Sequence, residues 1–345
     1  DYKDVDSALN GKLSFRYQPT RSLLVRGSVG TGFRAPTLRQ LYRPLQSFGV
    51  TAKPYTCSQE MADIAASLGA ECRLGNVQYD VKTGGVAEIK PEKSKQASLG
   101  IRFEPSDTLS LGADLWWVGI DGTFGSVDEP EAFGHAAKYS SLWTTYTDPV
   151  TGRTYLAYNS STTNLGKQFV SGIDFDIVGR ANTPLGALQS QLRATYILRE
   201  KRQLLIGGEY YSTVANNNES IGEVAFRWKG TLGNTLRMGS WQHTLNFNFQ
   251  SGYKDFPTEV YEVDGSGAIV GAEVVRLKIK NYYTFDWQTA YSFNKSTTLT
   301  VGVKNLLDKD PPLSLRATDA HMLGYDYRYY SPLGRTFQAK LNVSF

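Results

Sequence analysis

Histidine, methionine and cysteine are scarce, with only 3 His, 3 Met and 2 Cys in 345 residues. Two cysteines are too few for an all-cysteine zinc site, and His135, His243 and His321 fall in separate segments. Nowhere do about 18 apolar residues run together, which excludes a transmembrane helix. Neither sign of charge dominates, since 37 Lys and Arg face 33 Asp and Glu. The broad electrostatic footprint of a nucleic-acid binder is therefore missing. The G-x-S-x-G, H-E-x-x-H and G-x-x-x-x-G-K-[ST] patterns are absent, as is the Asp spacing of a calcium loop. Catalysis thus finds no motif, and neither a cofactor nor a metal is expected.

What the chain does hold is tyrosine, 21 of them, and period-2 alternation. Phe337, Ala339, Leu341, Val343 and Phe345 alternate with Thr336, Gln338, Lys340, Asn342 and Ser344. Tyr283, Phe285, Trp287, Tyr291 and Phe293 do so with polar neighbours, as do His243, Leu245, Phe247 and Phe249. Phe169, Ile173, Phe175 and Ile177 face away from Asp174 and Asp176. Such strands carry one apolar and one strongly polar face. About eleven are expected, near 8–18, 22–33, 93–105, 109–124, 160–180, 186–200, 219–234, 241–254, 276–293, 297–307 and 334–345.

A soluble β-sandwich with one wet face would alternate in the same way. Three features favour an all-β antiparallel outer-membrane barrel instead. Many strands have membrane-spanning length, about 10 residues. Aromatic pairs such as Trp116-Trp117, Tyr282-Tyr283 and Tyr329-Tyr330 lie near strand ends, like interfacial girdles. Connections alternate between short (18–22, 105–108, 182–186, 239–240, 294–297) and long (35–92, 125–155, 200–218, 253–275, 308–333), the asymmetry of periplasmic turns and extracellular loops. Bacterial single-chain barrels normally have an even strand number. An odd count leads to the expectation that an N-terminal portion of the barrel lies outside this chain.

Gly32-Phe33-Arg34-Ala35-Pro36-Thr37, followed by Leu41-Tyr42, ends the second strand. Pro36 lacks a donor and pushes Ala35 toward extended geometry, so it stops a ladder. This stretch resembles the "GFRAPs…ly" signature of TonB-dependent outer-membrane receptors. Further resemblances come in the family's order: "IKPEKSKQASLGIRF" at 89–103, "LGADLWWVGIDGTF" at 111–124, "NLGKQFVSGIDFDI" at 164–177, "VGVKNLLDKDPP" at 301–312 and "LGRTFQAKLNVSF" at 333–345. Ser98 and Asp174 depart from the acidic residue and the Glu common in the family. The resemblance implies that residues 1–345 are the C-terminal portion of a 22-stranded barrel. It also implies an N-terminal plug and a TonB box, neither with a counterpart here, and hence TonB as an energising partner. The setting would be outer-membrane lipid of a Gram-negative bacterium. The cargo would be a scarce bulky nutrient, a ferric siderophore first, with cobalamin, haem or oligosaccharide as alternatives. A passive barrel, porin or adhesin, is the competing class.

The 35–92 segment is expected to be a long extracellular loop with its own insert. Thr56-x-x-Gln59 reads as a capping box, Met61, Ile64, Ala65 and Leu68 follow at helical spacing, and Gly69 is a terminator. Cys57 and Cys72 flank this helix, and two close cysteines with no others fit one disulfide in an oxidising compartment. It braces the loop or takes part in ligand capture. Candidate ligand contacts are Arg39 and Tyr42, then Tyr210 and Tyr211 beside Lys201 and Arg202, then Tyr325, Tyr327, Arg328 and Tyr330. Such rings stack on flat ligands and Arg bonds anionic chelates, although an interfacial girdle would use the same residues. Arg193, Arg227, Asp174, Asp176 and Asp286, with Arg16, Arg26, Arg102 and Lys229, are expected to face the lumen.

Overall fold

Alternation over long stretches gives each strand one apolar and one polar face, and the chain sets these strands in one continuous antiparallel sheet. The computed structural model describes residues 9–218, 221–318 and 321–344. Eleven strands run in sequence order: β1 Lys12–Thr20, β2 Leu23–Arg34, β3 Glu92–Ser106, β4 Leu109–Asp121, β5 Gln168–Thr183, β6 Gly186–Gln203, β7 Trp228–Met238, β8 Trp241–Gln250, β9 Tyr282–Ser292, β10 Thr297–Lys304 and β11 Thr336–Val343. β1 pairs only with β2 and β11 only with β10, so the sheet is open among the described residues. The expected ends of the chain, toward residue 8 and at Phe345, lie outside the described residues.

Register separates two faces. Val25, Ile101, Ala113, Phe175 and Ala194 lie side by side across β2 to β6 on the apolar face. One residue along, Arg26, Gly100, Asp114, Asp174 and Thr195 make a row on the polar face. Arg26 on β2 reaches over β3 to bond both oxygens of Asp114 on β4, at 2.9 and 2.7 Å. A Cβ at the intervening Gly100 would overlap Asp114 Oδ1, so only glycine permits this bridge.

Strand boundaries differ from expectation in places. Segments near 160–180, 219–234 and 276–293 join the sheet late, at Gln168, Trp228 and Tyr282. The residues before them are taken up by loop structure, as where Thr163–Asn164 pairs with Phe124–Gly125. β6 runs to Gln203, so Lys201 and Arg202 belong to a strand and not to a 200–218 loop. Tyr210 and Tyr211 then pair back onto its end, opposite Gln203 and Arg202.

The long connections carry structure of their own. Segments 35–91 and 122–167 fold together into a cap. Its four-stranded sheet orders Trp143–Thr147, Thr154–Asn159, Asp80–Thr83 and Gln46–Val50. Helix α1 (Leu38–Tyr42) follows the strand-ending proline, with Thr37 and Gln40 forming a capping box. Helix α2 (Gln59–Ser67) buries Met61 and Ala65 in the cap core. Its cap is Ser58, which accepts from Met61 N, and not Thr56, because Thr56 is held in a short ladder with Asn76. Gly69 follows the helix at φ +67°, the left-handed terminator expected of it. Cys57 and Cys72 are disulfide-bonded. Helix α3 (Glu129–Gly134) delivers Phe133 to the centre of the cap. Tyr55 stacks on Phe133 at 3.9 Å, and Trp143 meets it edge-on at 4.9 Å.

Candidate functional site: the long-loop mouth

The segments that carry the family resemblance meet at the rim where strands give way to loops. Arg34 ends β2 and bonds Glu92, its register partner at the start of β3, through two contacts of 2.7 Å. Glu92 also accepts from Phe124 N at 2.6 Å, and the Arg34 guanidinium lies 4.9 Å from the Phe124 ring. Asn164 donates to Lys90 O and Gly122 O and accepts from Lys90 N. Asn305 donates its backbone N–H to Asp286 and clamps Lys309 from both ends of its amide. Asp308 accepts from Arg335 N at 2.7 Å. The "GFRAP", "PEKS", "NLGK", "KNLLDK" and "LGR" pieces are thus staples between neighbouring strands.

Above this rim stand two loop bodies. The first is the cap. The second draws on segments 204–227, 251–281 and 305–335, with Val224, Tyr253, Ile279 and Tyr330 buried together. Arg328 donates Nε and Nη2 to Asp326, which is fully buried, and Nη1 to Gly222 O. Its bond to Asp326 holds the guanidinium pKa above its ordinary value. Arg316 also donates to Gly222 O, at 2.6 Å, and to Asn217 at 3.2 Å. Burial, and then the nearby Arg328 charge, lowers the Arg316 pKa. Arg276 ties Asp255 O to Asn216 and Asn217 O. Three guanidinium groups therefore lace three loops together.

Between the two bodies lies a cleft of about 500 Å³, lined by Asp128, Glu129, Tyr158, Gln168, Arg202 and Glu223 among others. Arg202 is anchored by Glu200 at 2.9 Å and Glu223 at 3.1 Å. Burial raises the pKa values of Asp128 and Glu129. The cleft thus combines carboxylates, an oriented guanidinium and the Gln168 amide, a polar lining with both signs of charge. No grouping of three or more His, Cys, Asp or Glu suited to a metal ion occurs among the described residues.

The candidate contacts do not gather in one place. Arg39 and Tyr42 sit on exposed positions of α1. Tyr210 lies on the apolar face, 5.7 Å from the Phe169 ring, whereas Tyr211 pairs opposite Arg202. Residues 325–330 form a turn closed by Tyr329 N and Tyr330 N on Asp326 O. Tyr327 is 47% exposed, Tyr325 packs against the second loop body, and Tyr330 is buried in it. Sequence reading did not single out Asp128, Glu129 or Glu223; the acidic run at 128–131 was the available signal.

The polar-face charges are mostly paired. Asp174 accepts from Thr195, Asp176 from Gln191, and Asp286 from Asn248. Arg193 lies in the same row as Asp176 and is exposed. Arg227 differs from this pattern: it lies just before β7, donates to Ile197 O and Leu198 O, and covers the Tyr196 ring.

Long neighbouring antiparallel strands, one apolar and one charged face, short turns at one end and structured loops at the other define the wall of a membrane β-barrel. The chain belongs to the TonB dependent receptor-like β-barrel family, which matches residues 1–306. Members of that family are transporters, not enzymes. Comparison with curated protein sequences gives no match. Among solved structures, the siderophore receptor PirA from Acinetobacter baumannii superposes with a TM-score of 0.63 at 17% identity, covering 99% of this chain and 42% of its own. A mutant of the ferric enterobactin receptor PfeA from Pseudomonas aeruginosa, in complex with enterobactin, gives 0.60 at 18% identity over 99% of this chain and 41% of its own. The copper transporter OprC gives 0.51 at 16% identity, covering 97% and 39%. The chain therefore spans about two-fifths of the length of these structures.

Proposed function

We propose that this chain is the C-terminal part of an outer-membrane barrel that takes up a ferric siderophore in a TonB-dependent manner. In this reading the apolar face meets the bilayer, the polar face lines the lumen, and both loop bodies face outward. The plug and the TonB contact would reside in the remainder of a receptor of the length seen in its structural neighbours. The observation that carries the reading is agreement in fold with siderophore receptors over 99% of the chain, alongside the family match over residues 1–306. The mouth cleft, where Glu200 and Glu223 orient Arg202 beside Gln168, is the proposed place of first contact. Likeness to the copper transporter OprC supports copper as a second reading. The test is growth of a receptor-deleted strain, complemented with the full-length gene, under iron limitation on a panel of ferric siderophores, with copper limitation in parallel. Rescue by one or more siderophores is expected. Rescue only by copper would shift the assignment, and rescue by neither would remove uptake of both cargo classes.

A further inference from the structure

Two carboxylates hold the Arg202 guanidinium in the mouth cleft, and they differ in what fixes them. Glu200 accepts from Nε at 2.9 Å, and its other oxygen takes the backbone N–H and the hydroxyl of Thr213 at 2.8 and 3.0 Å. The Glu200 side chain is 3% exposed. Glu223 accepts from Nη1 at 3.1 Å, and its side chain is 58% exposed. Among the described residues, the Glu223 side chain makes no other hydrogen bond, and Nη2 of Arg202 makes none. Glu200 is thus built into the strand end, whereas Glu223 touches the guanidinium at one point and stands in solvent.

An exposed ion pair contributes little, because water and salt screen it and two long side chains must be ordered to make it. A buried carboxylate that satisfies three donors is far more costly to move. Only the outer partner of Arg202 is therefore exchangeable. The backbone on either side of Glu223 is secured all the same. Gly222 O accepts from Arg316 and Arg328, and Val224 N donates to the Tyr329 hydroxyl at 2.8 Å. A Glu223 side chain that lets go is thus kept within reach of the same guanidinium edge.

We propose that Glu223 is an internal stand-in for a carboxylate of the cargo, and that Arg202 selects cargo whose own ionised carboxylate displaces it. An incoming carboxylate takes Nη1 and Nη2 together, two charge-assisted bonds where Glu223 makes one. Asp128 and Glu129, on the cap side of the cleft, only accept when ionised, so the same cargo turns hydroxyl or amide donors toward them. An iron chelate of the α-hydroxycarboxylate class carries both kinds of group. A chelate with no free carboxylate has nothing to put in the place of Glu223 and leaves the pair closed. The inference rests on the siderophore reading of this cleft and names the class of siderophore.

The test measures equilibrium binding of radiolabelled ferric dicitrate and of a neutral ferric trihydroxamate to full-length receptor in outer-membrane vesicles. Heat-dependent gel migration establishes that each variant is folded. Glu223→Gln should bind ferric dicitrate about two- to fivefold more tightly than the wild type, the range for removing an exposed ion pair that competes. Arg202→Lys keeps a charge for Glu200 but loses the fork, and should bind it at least about tenfold more weakly. In the Arg202→Lys background the gain from Glu223→Gln should disappear. Trihydroxamate binding should be the same with and without Glu223→Gln. Unchanged or weaker binding of ferric dicitrate by Glu223→Gln overturns the proposal, because a purely structural pair gives the first result and a direct cargo contact the second. A wild type that binds the trihydroxamate alone overturns it too and leaves the siderophore reading standing. A wild type that binds neither chelate removes the carboxylate assignment, while the growth panel decides the wider reading by itself.

Discussion

Replacing Arg34 with alanine removes both side-chain donors to Glu92, whose side chain is only 11% exposed, and leaves it the Phe124 N–H alone. A buried acceptor stripped of a charged partner costs about 1–3 kcal/mol. Arg34→Ala should lower the stability of the full-length receptor in lipid vesicles by that amount in urea unfolding, without abolishing insertion. Arg328 calls for a different expectation from the free fork suggested by its place in a tyrosine-rich loop. Its donors are spent on Asp326 and Gly222, so Arg328→Ala strands a fully buried carboxylate, a loss of about 3 kcal/mol or more. Protease sensitivity of segment 305–335 should rise sharply in Arg328→Ala. Combining it with Asp326→Ala should be far from additive, since each single change already breaks the shared pair. Any loss of cargo affinity in Arg328→Ala would then act through loop order, whereas Tyr327→Ala should leave the proteolytic pattern intact.

The Cys57–Cys72 bond closes a loop across 15 positions around α2, a constraint worth about 3 kcal/mol in the chain-entropy model. Replacing both cysteines with serine should open the cap to limited proteolysis within 35–91 and leave the eleven strands unchanged, as read from heat-dependent gel migration. The strands were legible in the sequence because period-2 alternation is local and each needs only its own pattern to be seen. α2 was legible for the same reason, although its cap was misplaced by two residues: Thr56 and Ser58 both suit that role, and the Thr56 ladder with Asn76 decided between them. The cap as a joint product of two loops was not legible. Its sheet pairs Tyr158 with Val81 and Val50 with Asp80, contacts between segments with no common period. A bulge in β6, where Arg199 faces Ser171 and Ile197 faces Gly172 so that Leu198 is left over, was hidden likewise, because only the partner strand reveals which residue is extra. In contrast, Asp326 stands two residues from Arg328 and offered a readable hint that the guanidinium is engaged.

Across the molecule, the two loop bodies share one vulnerability to alkali. Burial, aided by the Glu129 and Asp128 carboxylates, pushes the Tyr55 hydroxyl up to about 12, and burial brings Tyr330 to about 12 as well. An unfolded tyrosine ionises near about 10. The folded form holds the proton more tightly, so the stabilisation is complete below about pH 10 and is lost as pH rises through about 12. Limited proteolysis across this window should show both loop bodies loosening while the barrel persists. Tyr55→Phe and Tyr330→Phe should each delay the change in its own body. The cap has a further, mechanical implication. Its feet stand on adjacent hairpins, one segment leaving β2 for β3 and the other leaving β4 for β5, while Phe133, Tyr79 and Tyr158 weld them into a single mass. These two loops cannot act as independent flaps; if the mouth opens there, both swing as one shutter about one hinge line along the β2–β5 rim. Spin labels placed separately on 35–91 and 122–167 should accordingly report a common relaxation rate and move together relative to the strands.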